Sequence, residues 1–213
     1  MPAPILITGF EPYGGHGRNP SFEAMQALDG RVIAGAALVG RKLPVSLAKL
    51  RPAIAALLDE REYSAIVSLG LQPGASVIHL ERSSANLADF DIADNDGLDV
   101  TDAELSPGGP ASRLSTLPLR AIERAMLAAG IPAKLSPSAG TYLCNACLYC
   151  TLEAVEAAPV PCGFLHLPCM PEQVAEAAVK HDRQRAGMAS MELSRIIAGI
   201  EIAVRETLRA IDL

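Results

Sequence analysis

Short apolar runs closed by glycine or proline alternate with longer amphipathic stretches along most of this chain, and that rhythm restricts its fold more than any other feature. "PILITGF" (4–10), "SAIVSLGL" (64–71), "SVIHLER" (76–82), "IPAKLS" (131–136) and "CGFLHLP" (162–168) have the length and β-branched content of buried strands. Helices fill the gaps. Asn19-Pro20 caps one over "SFEAMQAL", "LAKLRPAIAALLDERE" (47–62) tolerates Pro52 near its start, and "LPLRAIERAMLAAG" (117–130) closes on Gly130. Another starts at about Asn145, a short one follows Pro171, and "SMELSRIIAGIEIAVRETLRAI" (190–211) is the longest; residues 31–45 read as extended. Strands alternating with helices predict an α/β fold, a mostly parallel twisted sheet covered by helices on both faces.

With 213 residues, 50% of them hydrophobic, the chain closes one sizeable core, and a single domain over 1–213 is expected. Residues 94–116, "DNDGLDVTDAELSPGGPASRLST", break the rhythm. Rich in Asp, Gly and Pro, they bury little and predict a long loop inside the domain, a candidate lid or interface segment. A formal net charge of -6 gives no footing for nucleic acid or an anionic membrane, which demand clustered Lys and Arg. The first residues lack the basic start and long apolar middle of a secretory signal, and no run reaches the ~20 apolar residues of a membrane span, so a cytoplasmic location is expected. The five cysteines, an odd count in a chain too long to need staples, then stay as thiols.

Two motifs invite chemistry. "GFEPYGGHG" (9–17) lies between a strand and a helix but matches neither phosphate-loop pattern, so its glycines serve either close approach to a ligand or an ordinary turn. "AGTYLCNACLYC" (139–150) sets Cys144, Cys147 and Cys150 three apart. An iron–sulfur run would place a fourth cysteine soon after, ahead of proline, whereas Cys162 precedes glycine; zinc prefers two separated pairs. Cys147, Cys150, Cys162 and Cys169 all lie in or beside apolar segments and read as small core hydrophobes. No metal and no other cofactor is expected, a cysteine-ligated metal protein being the non-enzymatic alternative.

Cys144 differs because it is read as the last residue before its helix. Its sulfur then lies near unpaired N–H groups, and such a position beside a histidine lowers a thiol pKa from about 8.5 to roughly 3.5–7.5. A strand-to-helix turn also presents it at the carboxyl edge of the sheet, where α/β folds bind ligands. His166 ends an apolar strand before Pro168 and is either a base for that thiol or a satisfied core histidine. Glu81 is either the carboxylate that fixes an imidazole or half of a surface pair with Arg82. Spacing alone leaves both choices open.

Seven segments stand in the order of one family: "ITGFEPYGG" with "NPS" (7–21), "ER" with Asn86 and "IADNDG" (81–97), "GPA" with "STLP" (108–118), "GIPAKLS" (130–136), "AGTYLCN" (139–145), "GFLHLPCMPEQ" (163–173) and "SMELSRIIAGIEIAV" (190–204). Through them the chain resembles the pyrrolidone carboxyl peptidases, or pyroglutamyl peptidases I, which are cysteine exopeptidases. The resemblance implies Cys144 as nucleophile, His166 as general base and later acid, and Glu81 as the residue that orients His166. It implies release of an N-terminal pyroglutamyl residue from peptides through a thioester. Substrate contacts fall on Phe10, Tyr13, Ile92, Tyr142 and Leu143, with Gln72 one place after the family's glutamine. A homo-oligomer, commonly a tetramer, is also implied.

The family typically has phenylalanine where Tyr13 and Tyr142 stand, glutamine at Leu71, and arginine at Ala75 and Asp91. An added carboxylate opposes both a thiolate and an oxyanion. A second expectation therefore keeps the triad but turns it to another N-terminal group or small amide, or leaves it catalytically weak.

Overall fold

The computed structural model describes residues 3–211. In chain order the elements are β1 (Ile5–Phe10), α1 (Pro20–Leu28), β2 (Val32–Ile33), β3 (Ala36–Leu43), α2 (Leu47–Glu60), β4 (Ala65–Leu71), β5 (Ile78–Glu81), β6 (Ser83–Ala85), β7 (Ser112–Leu114), α3 (Leu119–Ala128), β8 (Ala133–Ser136), α4 (Leu143–Ala154), β9 (Cys162–Leu167), α5 (Pro171–Val179), α6 (Arg183–Ala186) and α7 (Leu193–Ile211). Asn19 opens α1 by accepting from the Ser21 N–H at 3.0 Å, with Pro20 at the first helical position. Ser46 does the same for α2 through the Lys49 N–H at 3.3 Å.

Strand periodicity sorts the core into two clusters, one on each face of the sheet. Ile5 and Ile7 of β1, Val67 and Leu69 of β4, and Leu165 and Leu167 of β9 join Leu28, Met126, Ile196 and Ile200 from α1, α3 and α7. Leu6 and Phe10, Ile66, and Cys162 and Phe164 from the same strands join Leu50, Ile54 and Leu148 from α2 and α4. Each fully buried aliphatic side chain contributes about 1.5–3 kcal/mol, so sealing both faces is what fixes the sheet between its helices.

The seven strands run in the order β2-β3-β1-β4-β9-β5-β8. β3, β1, β4 and β9 are mutually parallel, and β5 is parallel to β8. Two pairs run antiparallel, β2 with β3 and β5 with β9. The second reversal sets the start of β5 beside the end of β9, with His79 opposite His166 and Glu81 opposite Phe164.

Several boundaries differ from the sequence reading. The last helix starts at Leu193 rather than 190, because Ser190 is engaged in a bridge with Cys169. Residues 94–116 are not bare loop: β7 pairs with β6, and polar side chains anchor the segment at Asp94 and Ser106. Asp94, 6% exposed, accepts from the N–H groups of Leu47, Asp96 and Leu98. Asn86 accepts from the Ser106 N–H and donates to the Ser106 carbonyl. Such bonds order a segment too poor in apolar residues to pack. Among the described residues no helix is long and apolar enough to cross a membrane.

Candidate active site

One rung of the sheet carries Gly70, His166 and His79 on three adjacent strands, all facing the α4 side. Glu81 sits two residues along β5 from His79 and reaches the same imidazole: its Oε1 lies 2.8 Å from His166 Nδ1. Both groups are buried, Glu81 at 1% and His166 at 6% exposure. The carboxylate therefore points inward to histidine and not outward to Arg82. An Nδ1–H donated to Glu81 leaves Nε2 as the basic nitrogen. The ring is further held edge-on to Phe164, with centroids 4.9 Å apart.

Cys144 is the second residue of α4, which starts two residues before the Asn145 read from sequence. Tyr142, in an extended conformation, is already the cap residue, and its carbonyl accepts the Ala146 N–H at 3.1 Å. Tyr142 makes no side-chain cap bond, so the first-turn N–H groups remain available to a ligand. The start of α4 is moored by Asn145, whose side chain accepts from the Ala85 N–H at 2.7 Å and donates to the carbonyls of Ala85 and Leu87 at 3.0 and 2.8 Å. The sulfur packs on bare backbone: a Cβ at Gly70 would stand 2.7 Å from Cys144 Sγ. Gly70 is the register partner of His166, so thiol and imidazole stand over neighbouring strands and line one cleft.

The electrostatics correct the expectation of a resting thiolate. Burial pushes the Cys144 thiol up, Cys147 and Glu81 add to that, and its own backbone N–H draws it down by less. One helix-terminal dipole does not offset the loss of water around the thiol of a residue that is only 9% exposed. Burial thus favours the protonated thiol over the thiolate here. Cys147 is likewise pushed up to about 12, and Cys162 is raised by its burial. All five cysteines are free and buried. Among the described residues no three His, Cys, Asp or Glu side chains converge as metal ligands would.

The cleft is about 520 Å³ and is walled by Tyr13, Gln72, Ile92 and Tyr142 around Cys144 and His166. The Tyr13 and Tyr142 rings stand 5.8 Å apart, and Tyr142 meets Phe90 at 4.6 Å. Both hydroxyls have partners, Tyr13 donating to the Leu71 carbonyl at 3.3 Å and Tyr142 to that of Ala93 at 3.4 Å. Phe10 and Leu143, 2% and 1% exposed, belong to the core cluster behind the wall and do not line the cleft. Gln72 Oε1 is buried without a partner. A larger groove of about 740 Å³, between Arg82, Leu114 and Arg124, holds no cysteine or histidine.

Sequence reasoning missed Asp89, His16 and Arg185 on this cleft. Arg185 donates to the Gly14 carbonyl at 2.6 Å and lies 3.4 Å from Asp182. The one local signal for its helix was Asp182, which accepts from the Arg185 N–H at 3.1 Å as a cap.

A family model described as pyroglutamyl peptidase matches residues 3–210 of the chain. The pyrrolidone-carboxylate peptidase of Pyrococcus furiosus is 38% identical over 206 residues, covering 96% of this chain and 99% of that protein. The one from Gloeobacter violaceus is 40% identical over 211 residues, 97% of each. Among solved structures, the pyrrolidone carboxyl peptidase from Thermococcus litoralis superposes with a TM-score of 0.92 at 36% identity, covering 99% of this chain and 95% of that one.

Proposed function

The chain belongs to the pyroglutamyl peptidase family, and we propose that Cys144, His166 and Glu81 carry out in it the removal of an N-terminal pyroglutamyl residue from peptides. The observation that carries the residue assignment is the buried 2.8 Å bond between Glu81 and His166 Nδ1, on the rung beside the cysteine. As the substrate carbonyl arrives, His166 Nε2 takes the Cys144 proton and the sulfur attacks the carbonyl carbon. The oxyanion is met by N–H groups of the uncapped first turn of α4. His166 returns the proton to the departing amine, leaving a thioester. Water, deprotonated by the same imidazole, then releases pyroglutamate and restores the thiol. Glu81 stabilises the imidazolium formed in each half.

Pyroglutamate is a flat, neutral lactam, and the cleft matches it in chemistry. Tyr13, Tyr142 and Ile92 supply an apolar slot, and the unpartnered Gln72 Oε1 suits the lactam N–H. Phe10 and Leu143 act by buttressing the slot from behind. The proposal extends to a cytoplasmic homo-oligomer, a tetramer; the free thiols and the exposed apolar Leu114 and Val179 support it, and light scattering on the purified protein tests it.

The deciding experiment is turnover of a pyroglutamyl fluorogenic amide in the presence of reductant, beside Cys144→Ala and Glu81→Gln. The native chain should cleave it, Cys144→Ala should not, and Glu81→Gln should lose on the order of a thousandfold in kcat. An inactive native protein whose Cys144 still reacts with iodoacetamide would move the reading to another N-terminal group.

A further inference from the structure

Glu81 is 1% exposed and carries its charge on two oxygens, of which Oε1 meets His166 and Oε2 is buried with no partner. A buried carboxylate oxygen without a hydrogen-bond partner is poorly stabilised until a further donor reaches the group. Among the described residues one other nitrogen of a basic side chain lies within 4.0 Å of this carboxylate, Nδ1 of His79. His79 is 8% exposed and stands directly opposite His166 across the β5–β9 pair. The mechanism gives it no task.

We propose that His79 is a positioning residue for the reaction, a second imidazole that donates Nδ1–H to Glu81 and holds that carboxylate aligned on His166. The inference rests on the assignment of Cys144, His166 and Glu81 above. The Nδ1 to Oε1 distance, 4.0 Å, is longer than a hydrogen bond, and an approach of about 1 Å by either side chain brings it into range. That approach gains most when substrate draws a proton onto His166, because Glu81 then faces a full positive charge on one side and needs fixing on the other.

The groups facing His79 are Lys134, its register partner on β8, His166 on β9 and Glu81 on its own strand. Burial lowers the His79 pKa, and Lys134 lowers it further. The ring is thus a neutral donor at neutral pH and adds no competing charge to the pair. A neutral donor is what Glu81 needs. A second imidazolium beside His166 would repel the charge that the reaction must build there.

The test compares His79→Leu and His79→Asn with the native chain, by kcat, KM and their pH profiles on a pyroglutamyl amide, and by 15N NMR of His166. The amide that His79→Asn introduces occupies the place of Nδ1 and keeps a donor; the side chain that His79→Leu introduces has none. His79→Leu should lower kcat roughly tenfold with KM nearly unchanged. The His166 Nδ1–H signal should exchange faster. His79→Asn should restore most of each. Equal behaviour of the two variants, or an unchanged kcat and an unchanged Nδ1–H signal in His79→Leu, would overturn the proposal while the triad stood. Loss of activity in Cys144→Ala and Glu81→Gln alongside a native-like His79→Leu separates failure here from failure of the triad, which native inactivity would mark.

Discussion

Cys144 rests on Gly70: a side chain at position 70 would begin 2.7 Å from the sulfur and 2.6 Å from the Phe164 ring. The glycine is required by the space the sulfur occupies. Gly70→Ala should push the sulfur and the ring aside, costing about 1–3 kcal/mol of stability by overpacking and on the order of a hundredfold in kcat by misplacement. Urea denaturation and steady-state kinetics read the two effects. A fully active Gly70→Ala enzyme would mean that the sulfur reacts from another position.

The raised thiols give the protein an alkaline weakness. Cys144, Cys147 and Cys162 hold their protons more tightly in the folded state than an unfolded thiol does, each chiefly through burial. Above about pH 8.5 the unfolded chain binds fewer protons than the folded one, so stability falls as pH rises, by roughly 1 kcal/mol per pH unit for each thiol. Below that pH these groups contribute no slope. Urea midpoints between pH 7 and 9.5 in reductant measure it, and Cys162→Val should flatten the curve by one thiol's share. A level profile across that range contradicts the burial argument.

Asn145 ties the start of α4 to the segment 85–87 through three backbone partners. Removing it leaves an N–H and two carbonyls wanting partners at a fully buried position. Asn145→Ala should cost about 3 kcal/mol, and alkylation of Cys144 should become less selective over the other thiols as the turn loosens. Differential scanning calorimetry and mass-spectrometric mapping of iodoacetamide adducts give both readouts. A melting temperature within a degree of native would remove Asn145 from this role.

Periodicity makes β1, β4 and β9 legible, since each divides its apolar residues cleanly between two faces. Glu81 and His166 are legible as oddities of place, an acid and a histidine at the ends of apolar strands. Three things are hidden. The antiparallel setting of β5 against β9 is a long-range pairing that no local pattern encodes, and it alone puts His79 opposite His166. The true start of α4 is masked because Tyr142 caps it without a capping side chain. Helix position by itself implies an acidic thiol, while burial, a property of the whole fold, acts the other way and prevails.

Charge at the cleft mouth should set preference for the residue that follows pyroglutamate. Asp89 and Asp91 both line the cleft, and Arg185 and His16 line it too. Arg185 is engaged with Asp182 and the Gly14 carbonyl, and burial lowers the His16 pKa, so neither offers a free cation to the leaving peptide at neutral pH. No basic side chain among the described residues is ion-paired with Asp89 or Asp91, which leaves two carboxylates to face the substrate. Pyroglutamyl substrates with Lys or Arg in the next position should have lower KM than those with Glu. Asp91→Asn should narrow that gap about two- to fivefold with kcat little changed, and added salt at about 0.5 M should narrow it in the native enzyme as well. Equal KM for the Lys and Glu substrates at low salt would show that the leaving peptide passes clear of both carboxylates.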